Sequence, residues 1–355
     1  MCQKTVISST RHVKQACSTA NMHKSEYIFA NAGFFTYLCS AYKIFLMFKA
    51  RHKDIRPVLK ICEWLLIMLI CIGVAFGIWQ WLPVNHASTG AMLLFQALQA
   101  IGLFIVPAFA VAYLWSDQPL QWLLLTTPEH NQLDGKSICL SIGIMISAIP
   151  LINCLVAWNE SIRLPENLSG LEQIMQQMEH QTELILQRFM TYKDGAWWAL
   201  LLNLVVLAIL PGIGEELAFR GVLQSFFRNR HTAVWVTAFI FSFMHFQFYG
   251  FIPRMLMGAL LGYALVWSGR IGYSIIMHVT NNAMSVLVFY LGTYQWHLSQ
   301  DEIDAIGTGH TWWITLLCTP VMIALLYLYY RRTQALTPSS DHFASDSVNH
   351  SVAPD

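Results

Sequence analysis

The sequence predicts an all-α fold, a polytopic transmembrane helix bundle, and three observations carry that prediction. Of 355 residues, 55% are hydrophobic and only 12% are charged, whereas a soluble domain carries about 25% charged residues. The mean hydropathy is +0.47. The apolar residues also gather into runs close to the ~20 residues that cross a bilayer as helix. Membrane lipids are therefore expected partners. A formal net charge of +1 leaves no basic surface to neutralise phosphates, which argues against a nucleic-acid partner.

Apolar spans are expected at about 27–48, 61–83, 91–115, 137–157, 195–219, 232–249, 252–268, 271–292 and 311–330. Eight of them read cleanly, and the first is doubtful. Lys and Arg set the orientation. The loop Lys49 to Lys60 holds Lys49, Arg51, Lys53, Arg56 and Lys60. With this loop in the cytosol, Arg228, Arg230, Arg270, Arg331 and Arg332 fall on the cytosolic side too, and the acidic segments 159–194 and 293–310 fall outside. A crossing at 27–48 would put Lys4, Arg11, Lys14 and Lys24 outside, against the rule; residues before Met47 are then a weak extra helix or an upstream start.

Five parts follow: an N-terminal segment 1–60 with a basic loop, accessory helices over 61–194, a core over 195–292, a last transmembrane helix in 293–332, and a polar tail 333–355. Between 159 and 194, Leu171, Ile174, Met175, Met178, Thr182, Ile185 and Phe189 recur at helical steps, which predicts an amphipathic helix on the outer surface. A connector is the favoured reading over a lid. The eight cysteines (Cys2, Cys17, Cys39, Cys62, Cys71, Cys139, Cys154, Cys318) form no C-x-x-C pair and read as small buried hydrophobes.

The core carries polar groups where lipid makes them costly. Glu215 and Glu216 close the apolar run from Trp197 to Leu210, and an acid at the centre of a spanning helix costs roughly 2.5 to 3.5 kcal/mol. Such acids are functional sites with a partner nearby. Arg220 follows Glu216 by four residues and shares its helix face. Glu215 points about 100° away, free to face a cavity as a general base. Pro211, Gly212 and Gly214 permit a kink and close backbone approach just before the acids.

Two further groups lie on later spans. Phe241 and His245 share one face, as do His278 and Asn282. A lone histidine on an apolar helix is an ordinary core residue, and interhelical hydrogen bonding would explain the second pair equally well. Depth changes that. Glu215 lies thirteen positions from Arg228, His245 fourteen from His231, and Asn282 twelve from Arg270. In continuous helices all three sit roughly 18 to 21 Å from a cytosolic anchor. Gln247, Tyr249 and Arg254, around Gly250 and Pro253, read as an anchoring connection between spans, and Gly258-x-x-x-Gly262 as a packing face.

A carboxylate base, imidazoles and an amide donor in a semi-dry cavity suit the attack of activated water on an amide carbonyl. No H-E-x-x-H occurs. The Gly-x-Ser of Gly135-Lys136-Ser137 and of Gly272-Tyr273-Ser274 lacks the second glycine of a rhomboid. Gly212-Ile213-Gly214-Glu215 has Glu where presenilin-type proteases have Asp.

In their order on separate spans, Glu215-Glu216-x-x-x-Arg220, Phe241-x-x-x-His245 and His278-x-x-x-Asn282 resemble the three motifs of the CPBP family (CAAX proteases and bacteriocin-processing enzymes, also called Abi). The resemblance covers about 195–292 and implies an intramembrane endopeptidase. It would hydrolyse a peptide bond near the end of a membrane-associated protein or peptide. It also implies roles: Glu215 activates water, His245 assists or binds a metal, His278 and Asn282 stabilise the oxyanion, and Glu216 and Arg220 hold the site in shape with Phe241. Zinc on His245, His278 and Glu215 and a metal-free glutamate mechanism both use these residues. Two other readings stay open: a non-catalytic membrane immunity or binding protein that retains the fold, and a transporter with Glu215 as proton site. The inside-positive pattern suits a bacterial inner membrane with the C-terminus in the cytosol.

Overall fold

Pro57, whose fixed φ suits a first helical turn, opens the first helix of a computed structural model that describes residues 49–126, 133–299, 302–303 and 305–336. The expected span 27–48, the tail beyond Leu336, and Cys2, Cys17 and Cys39 lie outside the described residues. No strand occurs among the described residues. The longer helices are α1 (Pro57–Trp81), α2 (Thr89–Trp115), α3 (Gly135–Glu160), α4 (Ser169–Met190), α5 (Trp197–Phe226), α6 (Arg230–Phe243), α7 (Phe251–Ser268), α8 (Ile271–Gln295) and α9 (Trp312–Leu336). Seven of these, all but α4 and α6, are long and apolar enough to cross a membrane.

The eighth segment expected to span, 232–249, is instead the 14-residue α6 followed by a turn. The chain breaks where Phe246 adopts a left-handed backbone (φ 54°). The backbone groups freed there find a distant partner, because Asn159 on α3 donates to the Phe248 carbonyl (2.9 Å) and accepts from the Ile252 N–H (3.2 Å). His245 therefore lies on this turn, just past the helix end.

Four of the long helices carry an internal proline (Pro107, Pro150, Pro211 and Pro320), and two of them, α2 and α5, handle it alike. A wide π-helical turn at Ala100–Ile105 precedes Pro107, and another at Leu204–Ile209 precedes Pro211. Proline lacks the N–H and crowds the preceding turn, and a π-bulge absorbs that mismatch without ending the helix. Gly212 and Gly214 follow on α5. A β-carbon on Gly212 would stand 2.7 Å from the Val279 side chain, and one on Gly214 would stand 3.2 Å from the Ala100 carbonyl. Their absence lets α5 press between α8 and α2.

Packing follows from this. Trp64, Trp115, Leu217, Phe219, Val222, Phe241, Leu265 and Ile271 form one buried cluster, so α1 and α2 close one flank of the α5–α8 core. Ile144, Met145, Leu261, Tyr273, Met277 and Tyr329 form another, bringing α3 and α9 to the other flank. Lys53 pairs with Asp117 and Arg332 with Asp134 at one end of the bundle, while Arg188 donates to Thr89 at the other. Of the cysteines expected to be buried, Cys62, Cys139 and Cys154 are exposed on the outer face of their helices, and all five described ones are free thiols. In a bilayer those faces meet hydrocarbon, which accepts a thiol as readily as a protein core does.

Helix α4 is amphipathic, as its spacing predicts. Its apolar stripe is mostly uncovered at Leu171, Ile174, Met178 and Ile185, and only Phe189 and Met190 at its end are buried. It is tied to the bundle by Asn203 donating to the Phe189 carbonyl (2.8 Å) and by Gln247 donating to Glu179 (3.3 Å).

Candidate active site

Glu215 and Glu216 end the α-helical stretch Leu210–Glu216 of α5, just before a second π turn at Leu217–Val222 that carries Arg220. The Glu216 side chain is fully buried and completely engaged. Arg220 Nη1 donates to its Oε1 (2.8 Å), His278 Nδ1 lies 2.8 Å from the same oxygen, and Ser274 Oγ donates to Oε2. Arg220 is fixed in turn by donating through Nη2 to the Gly258 carbonyl (2.9 Å) and by lying over the Phe241 ring, 4.7 Å from its centroid. Four helices meet in this knot: α5, α6, α7 and α8.

Glu215 faces the other way. Its side chain keeps 15% exposure, and its Oε2 stands 3.6 Å from His278 Nε2 and 4.0 Å from His245 Nε2. Both distances exceed a direct hydrogen bond. Both rings have an acceptor at Nδ1: Glu216 for His278 and the Phe241 carbonyl, at 2.7 Å, for His245. Assigned from these acceptors, the neutral rings carry their proton on Nδ1 and turn the Nε2 lone pair toward Glu215. Phe241 sets both rings edge-on, with centroids 4.8 Å from His245 and 5.7 Å from His278.

Glu215, His245 and His278, from three elements, thus stand side by side. Asn282 stands one helical turn beyond His278 on α8, and its Oδ1 accepts from the Asn281 amide (3.3 Å). His245 is the more exposed imidazole, at 29% against 3% for His278. A cleft of about 350 Å³ there is lined by Ile174, Met178 and Thr182 of α4 together with His245 and Phe246.

Among the described residues no three His, Cys, Asp or Glu side chains are arranged to hold a metal ion.

Sequence reasoning passed over two residues of the knot. The Gly-x-Ser pattern draws attention to Ser274 only as a nucleophile, although it stands one turn before His278 on the same face of α8. Gly258, read as a packing residue, also supplies the carbonyl that holds Arg220. Arg254 donates to the Gln247 carbonyl (3.1 Å) and side chain (2.9 Å), as an anchoring connection would.

No curated protein and no solved structure matches the chain. Residues 197–284, which contain all three motifs, match the family model described as type II CAAX prenyl endopeptidase Rce1-like, in line with the CPBP resemblance. The chain is thus an integral membrane protein whose central helices are similar to the Rce1-like family of CAAX prenyl endopeptidases.

Proposed function

We propose that this protein is an intramembrane endopeptidase in which Glu215 activates water to cleave a membrane-associated protein or peptide near its end. The observation that carries the reading is the convergence of Glu215 Oε2 with the two Nε2 atoms, at 3.6 and 4.0 Å. A water has two protons to give, and such a gap suits one donating to Glu215 and to His245 Nε2. The Glu215 carboxylate takes the water proton as the oxygen attacks the scissile carbonyl carbon. The oxyanion accepts from the Asn282 amide, whose Oδ1 is turned to Asn281. When the tetrahedral intermediate collapses, the proton on Glu215 passes to the leaving nitrogen. Glu216, Arg220 and Ser274 touch none of the reacting atoms; they hold His278 and the backbone of α5 in place.

The orientation in this reading puts Lys49–Lys60 and the C-terminus in the cytosol, in a bacterial inner membrane. The α4 side of the cleft then faces outward. The test is cleavage of a prenylated CAAX-type peptide by the purified protein in liposomes. Glu215→Gln removes the base and keeps the shape, and it should lower the rate by about 10²- to 10⁴-fold with an unchanged unfolding transition. Full activity in that variant would overturn the assignment.

A further inference from the structure

At the end of the bundle where α3 begins and α9 ends, the two helices part around a groove of about 770 Å³, within the ~300–1,000 Å³ range of ligand pockets. Its walls are apolar and include Leu140, Leu325 and Leu328, and its mouth carries Lys136, Arg331 and Arg332. Asp134 takes both hydrogen bonds of Arg332, at 2.6 and 2.7 Å, and so offsets that charge. Lys136 is exposed. Arg331 donates to the Tyr327 hydroxyl (3.1 Å), a neutral partner that leaves its charge in place. Two positive charges therefore remain at the open end of a greasy channel. That end is also an end of α3 and α9, both long and apolar enough to cross a membrane, so in a bilayer the cations would stand at headgroup level and the walls at acyl-chain level.

We propose that this groove is a binding site for an anionic phospholipid, with one acyl chain between α3 and α9 and the headgroup phosphate held by Lys136 and Arg331. Charge complementarity selects the occupant. The apolar walls would take any lipid chain, but cations at the mouth favour an anionic headgroup, as in other basic pockets between membrane helices. The site is separate from Glu215, and the inference does not rest on the catalytic reading.

The experiment is native mass spectrometry of the full-length protein in detergent, titrated with phosphatidylglycerol or phosphatidylcholine of the same chain length. Phosphatidylglycerol should be retained in preference, and Lys136→Ala with Arg331→Ala should weaken it about 30-fold while sparing phosphatidylcholine. Leu140→Trp with Leu328→Trp should expel both lipids by filling the walls. A six-carbon-chain phosphatidylglycerol, which keeps the headgroup and loses the chain, should compete at least tenfold less well. Equal retention of the two lipids by the unaltered protein would overturn the proposal without reference to any variant. So would an unchanged affinity after removal of both cations, or full competition by the short-chain lipid.

Discussion

Glu216 and Glu215 are consecutive residues, and the regions they occupy differ in kind. Around Glu216 every oxygen is engaged by Arg220, His278 or Ser274, and no solvent reaches the carboxylate. Around Glu215 the neighbours stop short, at 3.6 and 4.0 Å, and a cleft opens beside His245. One helix turns a charge inward to be neutralised and leaves the next partly exposed. The difference shows how a membrane helix can carry two acids: the first is part of the fold, and the second is the base of the proposed reaction.

The sharpest way to break the comparison is to ask which acid limits turnover and which limits stability. Glu215→Ala should cost activity by more than 10²-fold and leave the detergent unfolding transition in place, measured by cleavage and by thermal melting. Glu216→Ala should do the reverse in kind. It strands the Arg220 guanidinium, buried and facing Phe241, and breaking a buried pair in this way costs about 3–5 kcal/mol. Equal tolerance of the two changes would remove the distinction altogether.

Much of this contrast could be read before any coordinates, for a simple reason. Four-residue spacing is a contact rule within a helix, so Glu216 with Arg220, and Phe241 with His245, announce themselves locally. The shared depth of Glu215, His245 and Asn282 then limits where their helices can meet. What stayed hidden depends on distant partners. Hydropathy extends α6 through Phe246 and Phe248, because an apolar run looks the same whether helical or turned. The turn exists because Asn159, nearly ninety residues earlier, satisfies its backbone groups. Ser274 was visible by position but not by role, since a hydroxyl does not declare which acid it will meet. The outward-facing cysteines were misjudged because lipid and protein interior pose the same chemistry to a thiol.

Ser274 gives a finer probe of the closed region. Its hydroxyl is one of the donors to the buried carboxylate, and hydrogen bonds to charged groups contribute about 1.5–3 kcal/mol. Ser274→Ala should lower stability by that amount, less than loss of Glu216 itself, because Arg220 and His278 remain on the other oxygen. Ser274→Thr, which restores the hydroxyl, should recover part of the loss. A null effect of Ser274→Ala on melting would mean that the knot is not as tightly satisfied as its distances imply.

The smallest expected effect isolates what burial adds. Asp134, at the start of α3, is held by Arg332 through two hydrogen bonds of 2.6 and 2.7 Å, with both side chains partly exposed. That guanidinium, foremost among several causes, keeps the Asp134 carboxyl well below the usual carboxylate range. A depressed folded-state pKa means the contribution is fully present above the unfolded value of about 3.9 and is lost as pH falls through the folded value. Asp134→Asn should therefore cost only about 0.5–1 kcal/mol at neutral pH, as exposed pairs do. The gap between the variant and the unaltered protein should hold steady from pH 8 to about pH 5 and close only in stronger acid. If the gap at neutral pH matched that of Glu216→Ala, the partner arginine and not the burial would be the source of the difference between the two regions.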